Sequence, residues 1–127
     1  MPTRTGRKLK ILVVDDEEIV RSCIRGLLTY DGHEVHLAVN AEAGLALFNQ
    51  QTFDLVFVDY SMPGMKGDEL AAALKALAPH LPIVMITGNT PLRKSVPGVN
   101  LIISKPVVLG DLQDAILKVT GEKSFAE

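Results

Sequence analysis

Lys10-Ile11-Leu12-Val13-Val14-Asp15-Asp16 is a short apolar run closed by two aspartates. Leu55-Val56-Phe57-Val58-Asp59 repeats the pattern with one aspartate, and Leu101-Ile102-Ile103-Ser104-Lys105-Pro106 repeats it with a lysine. A fourth run, Ile83-Val84-Met85-Ile86, ends in Thr87. Continuous apolar runs of this length, bounded by turn signals, read as strands buried on both faces. In an open parallel sheet, ligands sit beyond the carboxyl ends of such strands. Three carboxylates, one hydroxyl and one ammonium are therefore expected on one small patch.

Between the runs the apolar spacing changes to that of helices. Val20, Cys23, Ile24, Leu27 and Leu28 predict a first helix ending near Asp31-Gly32, with Gly32 just past its end. A strand over about 34–39 follows. Asn40 then serves as N-cap to a helix burying Ala41, Leu45 and Phe48. A third helix over about 67–77 turns Leu70, Ala73, Leu74 and Leu77 inward, and a last one over about 109–119 turns Leu112, Ile116 and Val119 inward. The βα alternation weakens once. Between Thr87 and Lys105, two prolines and two glycines deny the chain a full helix of three turns. The segment Asn89 to Asn100 is expected to be the most mobile part of the domain.

The chain of 127 residues suits a single domain, and 47% hydrophobic residues suffice for a sizeable core. A net charge of −2 supplies no general field toward nucleic acid or an anionic membrane. The basic start (Arg4, Arg7, Lys8, Lys10) is followed by too few apolar residues for a signal peptide or a membrane span. One cysteine excludes an internal disulfide and fits a reducing compartment, so a cytoplasmic location is expected. Cys23 is read as a small core residue. His33, His36 and His80 are read as surface residues. Residues 1–8 are expected to form a flexible basic arm and 121–127 a C-terminal tail.

Clustered carboxylates repel one another, by ~4 kcal/mol for a pair about 4 Å apart at an effective dielectric of 20. Protons or a cation relieve that repulsion. Oxygen ligands without histidine or cysteine select Mg²⁺, or Mn²⁺ in its place, over zinc. An aspartate is also a nucleophile able to form an aspartyl phosphate. Asp59 ends the middle strand beside a tight loop, Lys105 supplies a point charge, and Thr87 supplies a hydroxyl donor. Taken singly, each has a plainer reading. Asp15-Asp16 is a helix-start pair, Asp59 a turn residue, Thr87 a β-branched strand residue and Lys105 a solvated lysine. Their joint occurrence at four strand ends points to a site.

The combination of Val13-Val14-Asp15-Asp16-Glu17, Val58-Asp59-Tyr60-Ser61-Met62-Pro63-Gly64-Met65-Lys66-Gly67, Ile86-Thr87-Gly88 and Ser104-Lys105-Pro106 resembles the receiver domain of two-component response regulators (the CheY-like type) over about residues 9–120. The resemblance implies a flavodoxin-like, doubly wound α/β fold. Its five-stranded parallel sheet has order 2-1-3-4-5, here with a short or irregular fourth helix. It implies that Asp59 accepts a phosphoryl group from a sensor histidine kinase or a histidine phosphotransfer protein. Asp15, Asp16, Asp59 and the backbone carbonyl of Ser61 would hold Mg²⁺. Thr87 and Lys105 would engage the phosphoryl group, and Lys105-Pro106 would be a cis peptide. The module would act by switching contacts with a downstream protein, without contacting nucleic acid or membrane directly. It would be no enzyme beyond self-phosphorylation and autodephosphorylation.

One departure from the family pattern concerns the switch. Ile102 stands where the family usually carries a tyrosine or phenylalanine, and it is too small to swing as that ring does. Only Thr120 to Glu127 follow the last helix pattern. Two arrangements stay open: a stand-alone receiver, or a receiver cut from a larger hybrid kinase or regulator. Two other classes carry less weight. An aspartate-nucleophile phosphohydrolase would place a second acid where Ser61 stands. A flavodoxin-type cofactor binder would need a Gly/Ser/Thr-rich loop where Asp15-Asp16-Glu17-Glu18 stands.

Overall fold

A computed structural model of the chain describes residues 8–88 and 96–121. In chain order the elements are β1 (Lys10–Val14), α1 (Glu18–Tyr30), β2 (Glu34–Ala38), α2 (Ala41–Gln50) and β3 (Leu55–Asp59), followed by α3 (Gly67–Leu77), β4 (Ile83–Thr87), β5 (Leu101–Ser104) and α4 (Leu109–Thr120). The strands form one parallel sheet in the order β2-β1-β3-β4-β5. The doubly wound fold and its strand order are those expected.

Alternate residues of the central strands point to opposite faces. Leu12, Val14, Val56, Val58 and Ile83 pack with Ala41 of α2 and with Leu70, Ala71 and Leu74 of α3. Ile11, Val13, Leu55, Phe57, Val84 and Ile86 pack with Ile24 and Leu28 of α1 and with Leu112, Ala115 and Ile116 of α4. Both faces are thus covered, which explains why these strands read as unbroken apolar runs. Each fully buried side chain of this size contributes roughly 1.5–3 kcal/mol. Asn40 caps α2 as expected, its side chain accepting from the Ala43 N–H at 2.8 Å. Gly32 takes the positive φ (92°) that stops α1.

Three expectations about burial are corrected. Cys23 is exposed. The buried stripe of α1 centres on Ile24 and Leu28, and at about 100° per residue Cys23 falls off its edge. Leu77 is exposed and Ala73 only half-buried, while Ala71 is fully buried. The face of α3 is rotated toward Gly67 and Ala71, both buried, and Gly67, which lacks a side chain, lies against the backbone of Asp59 and Tyr60. His33 is buried: its Nδ1 accepts from the Leu9 N–H at 3.0 Å, and its Nε2 lies 3.5 Å from Asp31 Oδ2. Two polar partners make that burial tolerable.

The expected short helix before β5, and most of the segment expected to be mobile, fall on residues 89–95, outside the described residues. So do residues 1–7 of the expected arm and 122–127 of the tail. What is described of the β4–β5 connection is a turn at Pro97-Gly98, closed by Val99 N–H to Val96 O at 3.0 Å. No described helix is long and apolar enough to cross a membrane.

Candidate functional site

Parallel pairing sets the carboxyl ends of β1, β3, β4 and β5 side by side. Asp15 follows β1 and is held on three sides. Its N–H donates to Ala38 O at 3.2 Å, its Oδ1 accepts from the Glu17 N–H at 2.8 Å, and its carbonyl accepts from Arg21 Nη1 at 2.8 Å. Asp59 closes β3, and the Tyr60 N–H that follows donates to Ile86 O at 2.9 Å. Thr87 closes β4 and is buried. Its carbonyl accepts from the Lys105 N–H at 2.8 Å, which fixes the start of the β5–α4 loop. The Lys105-Pro106 peptide is cis, as expected.

The side chains converge. Lys105 Nζ lies 3.5 Å from Asp15 Oδ2, 3.5 Å from Asp59 Oδ1 and 2.8 Å from Glu17 Oε1. Asp15 and Asp59 are almost fully buried. Asp59 Oδ1 accepts a long hydrogen bond, 3.4 Å, from the Ser61 N–H. Asp15 Oδ2 is buried and accepts no hydrogen bond; the ammonium at 3.5 Å is an ion-pair partner only.

The loop after Asp59 is shaped by two glycines. Gly64 takes a positive φ of 75°. Gly67 opens α3 against the backbone of the acid itself, where a Cβ would collide with the Asp59 carbonyl oxygen and Tyr60 Cα. Its N–H donates to Tyr60 O at 3.0 Å. No other residue fits there without a shift of the strand end or of the helix start.

These positions set the acidities. Burial pushes Asp59 up to about 6, helped by the charge of Asp15 and opposed by Lys105 and the Ser61 N–H. Burial likewise raises Asp15, against the Glu17 N–H and Lys105. Glu17 is lowered by its hydrogen bond to Lys105 and by the ammonium charge. Burial acts to lower Lys105. The Glu17 hydrogen bond and the charges of Asp15 and Asp59 outweigh it, leaving the ammonium raised.

The side chains of Asp15, Asp59 and Lys105 therefore meet, and Thr87 joins them through its carbonyl, which holds the Lys105 N–H. Asp16 is exposed and lies outside the carboxylate group whose oxygens approach within 4.8 Å of one another, which is Asp15, Glu17 and Asp59. Ser61 is exposed, with its N–H turned to Asp59. Glu17 is the residue that the sequence reading left without a role. Its signal is its place as the N-cap of α1, immediately after the acid pair. The carboxylate set, with an orphaned buried oxygen on Asp15, fits a hard divalent cation.

Fold and site together define a flavodoxin-like α/β domain with an acid–lysine centre at the carboxyl edge of its sheet. Comparison with known proteins identifies the kind. A family model described as "Response regulator receiver domain" matches residues 11–117. The sensor histidine kinase AruS of Pseudomonas aeruginosa is 33% identical over 126 residues, covering 93% of this chain and 13% of that protein. The response regulator MprA of Mycolicibacterium vanbaalenii is 32% identical over 108 residues, covering 82% of this chain and 47% of that protein. A response regulator receiver domain protein from Clostridium thermocellum superimposes with a TM-score of 0.82 at 32% identity, covering 88% of this chain and 94% of that one. TrrA of Thermotoga maritima, solved in complex with Mg²⁺-BeF, gives 0.81 at 29% identity, covering 89% and 99%. The chain belongs to the response regulator receiver domain family. That family is a phosphoacceptor signalling module of two-component systems. This chain spans less than half the length of both curated relatives.

Proposed function

We propose that this domain accepts a phosphoryl group on Asp59 from a phosphohistidine, carried by a sensor histidine kinase or a histidine phosphotransfer protein. The observation that carries the proposal is the placement of Lys105 Nζ at 3.5 Å from both Asp15 and Asp59. In the reaction, an Asp59 carboxylate oxygen forms the bond to phosphorus as the phosphorus–nitrogen bond breaks. The leaving imidazole keeps the electron pair and takes up a proton. Lys105 neutralises charge on the equatorial oxygens, and the Thr87 hydroxyl donates to one of them. Asp59 must be ionised to attack; burial opposes that ionisation, and the positive charge of Lys105 and of a bound cation favours it.

Asp15, Asp16 and Asp59, with the backbone carbonyl of Ser61, are the proposed ligands of Mg²⁺, for which Mn²⁺ can substitute. Glu17 stands close enough to join them. The bound ion supplies positive charge for the phosphoryl oxygens. An apolar groove of ≈ 510 Å³, lined in part by Ile19, Val20, Cys23, Pro106 and Val107, opens beside Lys105. Its exposed apolar lining, Ile19 above all, suits contact with a protein that carries the phosphoryl group. A cytoplasmic location and a protein partner downstream follow from the same reading. Whether the domain acts alone or within a hybrid kinase or larger regulator is decided by the full reading frame. Incubation with a phosphohistidine-bearing phosphotransfer protein tests the proposal: label should move to this chain and leave the donor. Label that stays on the donor, with Mg²⁺ present, overturns it.

A further inference from the structure

Among the described residues, the closest partner of the Lys105 ammonium is Glu17, at 2.8 Å, and not Asp59 or Asp15, at 3.5 Å. The Glu17 side chain is 60% exposed, so no need to satisfy a buried charge brings it there. What directs it is its backbone. Glu17 is the N-cap of α1, in extended conformation. Its N–H is fixed on Asp15 Oδ1 and its carbonyl on the Arg21 N–H at 3.0 Å. Lys105 is anchored in turn through its own N–H on Thr87 O. Two rigid backbone attachments thus present a carboxylate and an ammonium to each other across the mouth of the site.

Among the described residues, a single ammonium faces three carboxylates here. A phosphoryl group on Asp59 adds further negative charge and further acceptor oxygens beside Lys105. Glu17 then competes for the same three donors, and its charge repels the incoming anion. We infer that Glu17 is a positioning residue that holds Lys105 in the unphosphorylated protein and acts as a brake on the phosphorylated form. The inference rests on the phosphoacceptor reading and assigns that site its own internal restraint. Glu17→Gln keeps the shape and a hydrogen-bond acceptor but removes the charge, and so separates hold from bulk.

The test has two arms. In the free protein, without any phosphoryl chemistry, the side-chain ¹⁵Nζ resonance of Lys105 is recorded for wild type, Glu17→Gln and Glu17→Asp. The Gln variant should move it and the Asp variant should largely restore it. A resonance indifferent to Glu17 overturns the hold. In the second arm, beryllofluoride affinity is measured at saturating Mg²⁺, so that any loss of metal affinity in the variant is removed. Glu17→Gln should bind about 2- to 5-fold more tightly, the span of an exposed ion pair. In a Lys105→Met background the same change should have a clearly smaller effect. An equal effect in both backgrounds shows that the charge acts without Lys105 and overturns the brake, as does weaker binding by the variant. A wild type that binds no beryllofluoride contradicts the phosphoacceptor reading and the brake together. The free-protein arm then decides the hold by itself.

Discussion

Lys105 Nζ stands 3.5 Å from Asp59 Oδ1, although Asp59 closes β3 and Lys105 follows β5, two strands separated in the sheet by β4. The contact exists because the lysine leaves β5 along the Thr87 carbonyl and reaches back over the end of β4. It is the principal neutralising contact for an acid that burial and Asp15 both drive toward protonation.

Removing that ammonium should therefore raise Asp59 further. In Lys105→Met the Asp59 carboxyl, followed by side-chain ¹³C resonance, should titrate above its wild-type midpoint of about 6. Each tenfold loss of acid strength removes ~1.4 kcal/mol of native stability at pH values above both midpoints. A midpoint left at the wild-type value would show that Lys105 does not balance this acid.

Asp59→Asn should stabilise the metal-free protein at pH 8. The native carboxyl titrates at about 6 against 3.8 ordinarily. Between those values the native state holds a proton that the unfolded state has released. Stability therefore falls as pH rises from about 4 to about 6, and the loss is complete above that. Water at the rim of the pocket moderates it, so the variant should gain about 1–2 kcal/mol at pH 8 and almost nothing at pH 4. Urea unfolding at the two pH values measures this. A variant less stable than wild type at pH 8 contradicts the argument.

Gly67→Ala should damage the site from outside it. The new methyl meets the Asp59 carbonyl and Tyr60 Cα, both backbone, so the strand end or the helix start must shift. A loss of about 1–3 kcal/mol is expected, together with slower phosphorylation. Gly110, whose added Cβ meets nothing within 4 Å, is the control. Equal behaviour of the two variants would refute the close-approach argument.

Metal dependence separates the carboxylates. EDTA should abolish phosphorylation of the wild type, and Asp16→Ala should do the same at ordinary Mg²⁺ concentrations. The exposed position of Asp16, outside the close group of three, makes this the sharper experiment. If Asp16→Ala phosphorylates normally while Glu17→Ala does not, the ligand set is Asp15, Glu17 and Asp59.

The sheet is legible because strands buried on both faces leave unbroken apolar runs, and because the residue that closes each run is polar. Asp15, Asp59 and Lys105 could be placed together on that basis alone. Side-chain burial was harder to read. Cys23 and Leu77 look like core by hydrophobicity, but a helix turns its face by the small residues that allow approach, and Ala71 beside Gly67 sets α3. His33 looks like a surface histidine until the Leu9 N–H and Asp31 are seen against it. Glu17 escaped because its role depends on the direction of one exposed side chain across a gap, which no spacing records. Ile102 lies opposite Met85 on the edge strand and is half-buried.

The most direct measurement is the intact mass of the protein after treatment with acetyl phosphate and Mg²⁺, with wild type and Asp59→Asn side by side. Wild type should gain one phosphoryl group, lost again on mild alkaline treatment as an acyl phosphate is, and Asp59→Asn should gain none. A variant that still takes up the phosphoryl mass, or a wild type that takes up none while correctly folded and supplied with Mg²⁺, would contradict the assignment of Asp59 as the phosphoacceptor.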